Sequence, residues 1–317
     1  MSFVRRTNSS NLVIWIPGYN DTFYHEHIYK YDIFKNYDIF LIHVNDYTPF
    51  KDDEKNQCKY HQITANHQYT CKNFVKHFPA IDDHLEGFCK IHKYKKCILY
   101  GHSTGGLIAS VYAKIGKYRE CFSGIILNDP FLDFNLAWHE ELICKNIALF
   151  PLAFKLDNGK FKFNKKIALG KESISTLRQT MINSGYSICK VVLTCPPTRT
   201  GFLLASTRAH KIIQKTKKPL TDIPMLLLVA KHESTFLNSS ETAKFGTKVS
   251  SQTRMVFCDN SQHDVFFPII NNTIDKNQLK NIASEIANFE IKLKEKQTTI
   301  SKTNYGKKFR HFIKYRI

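Results

Sequence analysis

Two kinds of apolar pattern alternate along the chain. Short unbroken runs of apolar residues occur at 11–16, 38–44, 97–100, 124–128, 224–230 and 254–258. Runs of this length, rich in β-branched residues and without polar alternation, predict strands buried on both faces of a parallel sheet. Between them, apolar residues recur every three or four positions. Phe74, Phe78, Ile81, Leu85, Phe88 and Ile91 predict a helix within 69–92, interrupted near Pro79. A second helix is expected at 24–36, a third at 107–113, and a last one carries Ile274, Leu279, Ile282, Ile286 and Phe289 on one face. Strands alternating with helices imply a mostly parallel sheet with helices on both faces. Such sheets bind their ligands beyond the carboxyl ends of the strands.

Two stretches break the alternation. Residues 45–68 are polar and charged, without strong periodicity, and read as a loop region. From Phe131 to about Pro219 the chain carries aromatic residues, a lysine cluster from Lys160 to Lys166 and Pro196-Pro197, with no clear strand run. This predicts a mostly helical insert between two sheet strands. Residues 190–193 are ambiguous.

The strand at 97–100 runs into Gly101-His102-Ser103-Thr104-Gly105-Gly106, and a helical run follows directly. Strand, tight glycine-flanked turn and helix are the setting in which a serine hydroxyl is pushed out at the end of a sheet. The free amides and positive end of the helix face the same point, where they would stabilise an anion.

A serine hydroxyl is a weak nucleophile and needs a base within hydrogen-bond reach. The chain has 14 histidines, so position must select among them. His263 follows the last predicted strand, where the order nucleophile, acid, histidine places the base. His232 is the second choice, and His102 points away from Ser103 in such a turn. For the acid, Glu233 stands just past the 224–230 strand, with Glu241 the alternative. Asp259 and Asp264 are too close to His263 in sequence for the usual geometry. The oxyanion hole needs two amides aimed at one oxygen. Thr104 supplies one, and Tyr19, after the Pro17-Gly18 turn, supplies the other. The Pro17-Gly18 turn, Ser103, Asp129, Glu233 and His263 all follow predicted strands and are expected to gather along one edge of the sheet.

Composition adds three constraints. A length of 317 residues allows one large core or two domains. The formal net charge of +19 points either to polyanionic partners, nucleic acid or an anionic membrane surface, or to a well-solvated basic surface. It is most concentrated from Lys307 to Arg316, where basic and aromatic residues interleave. The nine cysteines follow no paired spacing, which suits reduced thiols and a cytoplasmic protein. No apolar run reaches the length of a membrane span, and the run at 12–16 is too short for a signal peptide.

Four stretches carry a family resemblance. Ile16-Pro17-Gly18-Tyr19-Asn20-Asp21 is similar to an H-G-[FY]-x-D oxyanion loop, with Pro17 in place of the histidine. Gly101 to Gly106 matches the nucleophile elbow. Leu127-Asn128-Asp129-Pro130-Phe131-Leu132-Asp133 is similar to an N-S-P-F-L-D run, and Gln262-His263-Asp264 to the H-D that carries the base. In this set and order the chain resembles the α/β-hydrolases, and among them the lysophospholipase and monoacylglycerol-lipase-like hydrolases filed with serine aminopeptidase-like proteins. The family's acid is normally Asp, and none stands at the matching place. Glu233 substitutes, Glu241 serves, or the triad is incomplete.

The resemblance implies an α/β-hydrolase fold with an inserted helical cap. The first part of the core would span 1–130, the cap 131–219, the second part of the core 220–290, and a basic tail 291–317. It implies ester hydrolysis through an acyl-enzyme, with no metal or organic cofactor and a small-molecule ester or lipid as substrate. Phe131, Phe134, Trp138, Leu149, Phe150 and Phe154 would then line an acyl pocket or pack the cap onto the body. A peptidase or amidase using the same triad, and a non-catalytic binding protein on a hydrolase scaffold, are the rival readings. The basic tail would meet an anionic membrane, whereas nucleic-acid binding has no motif beyond charge.

Overall fold

All six predicted strands form, and a seventh joins them at the N-terminus. The computed structural model describes residues 2–18, 23, 25–42, 73–91, 94–135, 200–231, 237–261, 263–271 and 273–293. Its main sheet runs in the order β1(Ser2–Arg5), β3(Asp38–Leu41), β2(Asn11–Ile16), β4(Lys96–His102), β5(Gly124–Asn128), β6(Met225–Ala230), β7(Thr253–Cys258). Every pairing is parallel except that of β1 with β3, which is antiparallel and shifts register between Phe3 and Arg5. β1 was not legible in the pattern. It is four residues long and holds the edge of the sheet, paired with β3.

The helices are α1(Phe78–Ile91), α2(Thr104–Ile115), α3(Thr200–Gln214), α4(Ser239–Gly246) and α5(Lys276–Lys292). Pro79 sits in the first turn of α1, where its missing N–H leaves no bond unmade. The predicted interruption is a 3-10 turn over Phe74–His77 that leads into that helix. The helix expected at 24–36 is shorter, a 3-10 segment over Glu26–Tyr31.

Successive residues of each central strand face opposite sides, and both sides are covered. Leu12, Ile14, Leu99, Leu127 and Leu227 pack with residues of α1, α2 and α3. Val13, Trp15, Tyr100, Ile126 and Leu226 pack with Ile28 of the 3-10 segment and with Ile282, Ile286 and Phe289 of α5. This two-sided burial is why the strands read as unbroken apolar runs. Of the predicted insert, α3 packs on α2, and its Phe202, Leu203 and Ile213 are buried. Residues 136–199 and the tail beyond 293 lie outside the described residues.

α2 approaches the end of β2 more closely than a side chain allows. A Cβ on Gly105 would overlap the carbonyl oxygens of Ile16 and Pro17. Both are backbone atoms, one at the end of a central strand and one in the residue after it, and cannot step aside as a flexible side chain could. In an open helix Gly→Ala stabilises by about 1 kcal/mol. Here overpacking reverses the sign, and Gly105→Ala is expected to cost about 3 kcal/mol in urea unfolding.

Burial sets up a second measurable effect. Glu290 lies near the end of α5, and its Oε1 is buried with no hydrogen-bond partner among the described residues. Burial pushes its carboxyl from 4.5 up to about 7, against the pull of Lys96. A carboxyl raised on folding contributes stability that is complete below pH 4.5 and lost as pH rises through 7. Glu290→Gln is therefore expected to be more stable than the parent by about 2 to 3 kcal/mol at pH 8. The two should be equal near pH 4, as read from paired denaturant curves.

Candidate active site

Ser103 occupies the sharp turn between β4 and α2, at φ 52° and ψ −121°. A non-glycine residue there is strained by about 1 to 3 kcal/mol, and the backbone around it holds it in place. Its amide donates to the Asn128 carbonyl at 3.1 Å, and its carbonyl accepts from Leu107 and Phe131 at 3.1 and 2.9 Å. Gly101 gives the turn room, since a Cβ there would come within 2.6 Å of the Gly105 carbonyl oxygen.

The Ser103 hydroxyl meets His263 Nε2 at 2.9 Å. On the other side of the ring, His263 Nδ1 lies 3.3 Å from Asp129 Oδ2. The Asp129 carboxylate can only accept, so Nδ1 carries the hydrogen and Nε2 is free to accept from the serine. Asp129 follows β5, also at positive φ (40°), and its Oδ1 accepts from the Ala230 amide at 3.2 Å. Burial pushes the Asp129 carboxyl above its ordinary range, while the hydrogen bond and charge of His263 act against that rise. Ser103 and Asp129 are nearly inaccessible, whereas the His263 side chain keeps 18% of its exposure and is the open member of the three.

The acid expected from sequence was Glu233, after β6. Glu233 lies outside the described residues, as do Tyr19 and His232. The carboxylate that His263 meets is Asp129, one strand earlier. Because β5 is hydrogen-bonded directly to β4, its carboxyl end lies beside Ser103. An acidic residue at the end of that neighbouring strand was the available signal. Glu241 is on α4, paired with Lys244 at 2.9 Å. Thr104 opens α2, where the first amides have no acceptor within the helix. Ile16 and Pro17 lie against the same helix end through the Gly105 contact.

Residues next to the three side chains tie the strand ends together. His102 Nε2 is 3.2 Å from the His263 carbonyl, with the two rings 5.0 Å apart. Asn128 donates to Asp264 Oδ1 at 2.7 Å and accepts from the Val265 amide at 3.1 Å. Phe131 and Phe134 are both buried, stacked edge-on to His210 of α3 at 4.8 Å. In the described structure they pack the helix onto the body.

Comparison with known proteins agrees with this fold. The chain superimposes on a soluble variant of monoglyceride lipase from Saccharomyces cerevisiae in complex with a substrate analog. The TM-score is 0.58 and the identity 16%, over 90% of this chain and 88% of the other. The monoacylglycerol lipase of Paleococcus ferrophilus gives 0.57 and 14%, over 91% and 100%. A lipase-esterase related protein from Clostridium acetobutylicum gives 0.52 and 14%, over 91% and 98%. No curated protein matches the chain in sequence. The model of the family described as serine aminopeptidase, S33, matches residues 61–268, more than half of the chain. The chain belongs to that family, and through it to the α/β-hydrolases.

Proposed function

We propose that the chain is a serine hydrolase that cleaves carboxylic esters of acyl chains or small lipids. The observation that carries this reading is the continuous relay from Ser103 Oγ through the His263 imidazole to the Asp129 carboxylate. Ser103 Oγ attacks the ester carbonyl carbon as its proton passes to His263 Nε2. Asp129 holds the ring in the productive tautomer and stabilises the imidazolium. The tetrahedral oxyanion is held by the Thr104 amide and the Tyr19 amide. On collapse the C–O bond breaks, and the leaving alcohol takes the proton from His263. Water then attacks the acyl-enzyme with His263 again as base, releasing the acid and restoring Ser103. Asp129 takes the place in this scheme that Glu233 was expected to fill.

Labelling by a fluorophosphonate, followed by peptide mapping, tests the reading directly. Adduct on Ser103 supports it, and an intact protein that resists the probe overturns it. The family description favours a second reading, release of N-terminal residues from peptides, since one triad serves both chemistries. Parallel assays with p-nitrophenyl esters and aminoacyl p-nitroanilides separate the two.

No described helix is long and apolar enough to cross a membrane. The basic tail, outside the described residues, is the element we assign to an anionic bilayer, where lipid esters reside. Removal of 304–317 is expected to weaken cosedimentation with phosphatidylserine vesicles at least tenfold in 0.1 M salt. Unchanged binding would remove this role.

A further inference from the structure

Behind the Ser103–His263–Asp129 relay lies a second buried imidazole–carboxylate pair that takes no part in the proposed chemistry. His25 Nε2 is 2.7 Å from Asp264 Oδ2, and both side chains are 1% exposed. The other oxygen of Asp264 accepts from Asn128 Nδ2 at 2.7 Å and from the Phe266 amide at 3.0 Å. Burial alone would raise the Asp264 carboxyl. The facing imidazoles of His102 and His25, with the hydrogen bonds from His25 and Asn128, hold it well below the ordinary carboxylate range instead. It is an ionised group in the interior, and its charge is answered by donors on two other segments.

Those segments matter because of what each one carries. Asp264 is the residue after His263, and Asn128 the residue before Asp129. His25 stands seven residues after Gly18, at the far end of the stretch that contains Tyr19. It is seated by the rings of Trp15 at 5.0 Å and Phe267 at 5.3 Å. Two residues on, His27 Nε2 lies 2.7 Å from the Phe266 carbonyl. The chain leaving the oxyanion turn is thus tied at two points to the loop that carries the base. Removing the His25–Asp264 bond would take away one of the ties that hold this loop next to His263, leaving those to Asn128 and His27. The Nδ1–Asp129 distance is already 3.3 Å, near the limit for a useful hydrogen bond.

We propose that His25 and Asp264 are a positioning pair, locking the His263 loop to the segment after the oxyanion turn so that the imidazole stays in register with Ser103. This rests on the serine-hydrolase reading of the site. The test compares the parent with His25→Leu, His25→Gln and Asp264→Asn. kcat and KM for p-nitrophenyl butyrate are taken per fluorophosphonate-titrated site, and the ¹H–¹⁵N imidazole signals of His263 are followed by NMR. His25→Leu should lower kcat per site 10- to 100-fold, leave KM within twofold, and displace the His263 ring signals. Glutamine, which can still donate to Asp264, should restore most of both. Asp264→Asn, if it folds, should match His25→Leu. Unchanged kcat per titrated site, or His263 signals coincident with those of the parent, would overturn the positioning role. Should the parent turn over no ester, that counts against the hydrolase reading alone, and the His263 signals still decide this one.

Discussion

Replacing Ser103 with alanine is expected to lower kcat for a p-nitrophenyl ester by about 10⁴- to 10⁶-fold while leaving the protein folded. The loss is large because the substitution removes the hydroxyl that is hydrogen-bonded to His263 Nε2. Without it, the imidazole can at best activate water. The fold should survive because the hydroxyl does not hold the turn. The strained backbone at φ 52° is held by main-chain bonds from Ser103 to Asn128, Leu107 and Phe131, and alanine keeps all of them. A thermal midpoint within about 2 °C of the parent, with loss of fluorophosphonate labelling, is the expected pair of results. Ester hydrolysis at the parental rate by this variant would end the proposal.

Ser103 and His263, both singled out in the sequence, meet in the structure, whereas the described carboxylate that faces His263 is Asp129 rather than the expected Glu233, and the difference follows from how each is constrained. Ser103 stands in a turn whose glycines are forced by backbone contacts, Gly101 against Gly105 and Gly105 against Ile16 and Pro17. Steric demands of that kind leave a local signature. His263 is fixed by its place after the last strand, which the apolar run at 254–258 marks plainly. Neither constraint reaches the carboxylate. It must only arrive near Nδ1, and the ends of both β5 and β6 offer that approach. Choosing between them depends on the path of the His263 loop, and that path is set by Asn128, Asp264 and His25. These contacts join residues more than a hundred positions apart, beyond the reach of any local pattern.

The same distinction runs through the fold. The central strands were legible because both faces are buried, so composition alone gives them away. β1 was not, because an edge strand of four residues is specified by its partner β3. Residues 24–36 have the spacing of a helix but settle as a 3-10 segment over Glu26–Tyr31. His25 and His27 are there turned inward to Asp264 and Phe266, and tertiary bonds outweigh local propensity.

Asp129→Asn is expected to lower kcat by about 10³- to 10⁴-fold with little change in KM. Glu233→Gln should stay within about threefold of the parent by the same chemical logic. An asparagine at 129 can turn its amide nitrogen toward His263 Nδ1. That face of the ring would then have to accept, and the hydrogen would move to Nε2, where it confronts Ser103 and cannot take the serine proton. The variant would be a well-packed protein with the wrong tautomer. Stability should therefore fall little, since burial already disfavours the charged form of this carboxyl and the amide fills the same volume. Glu233 offers the opposing case. If it were the partner of His263 in the working enzyme, the two variants would exchange behaviours, with the large loss at 233 and near-parental turnover at 129. Measuring kcat per titrated site for both variants, beside the imidazole proton signals of His263, separates the two assignments in one series.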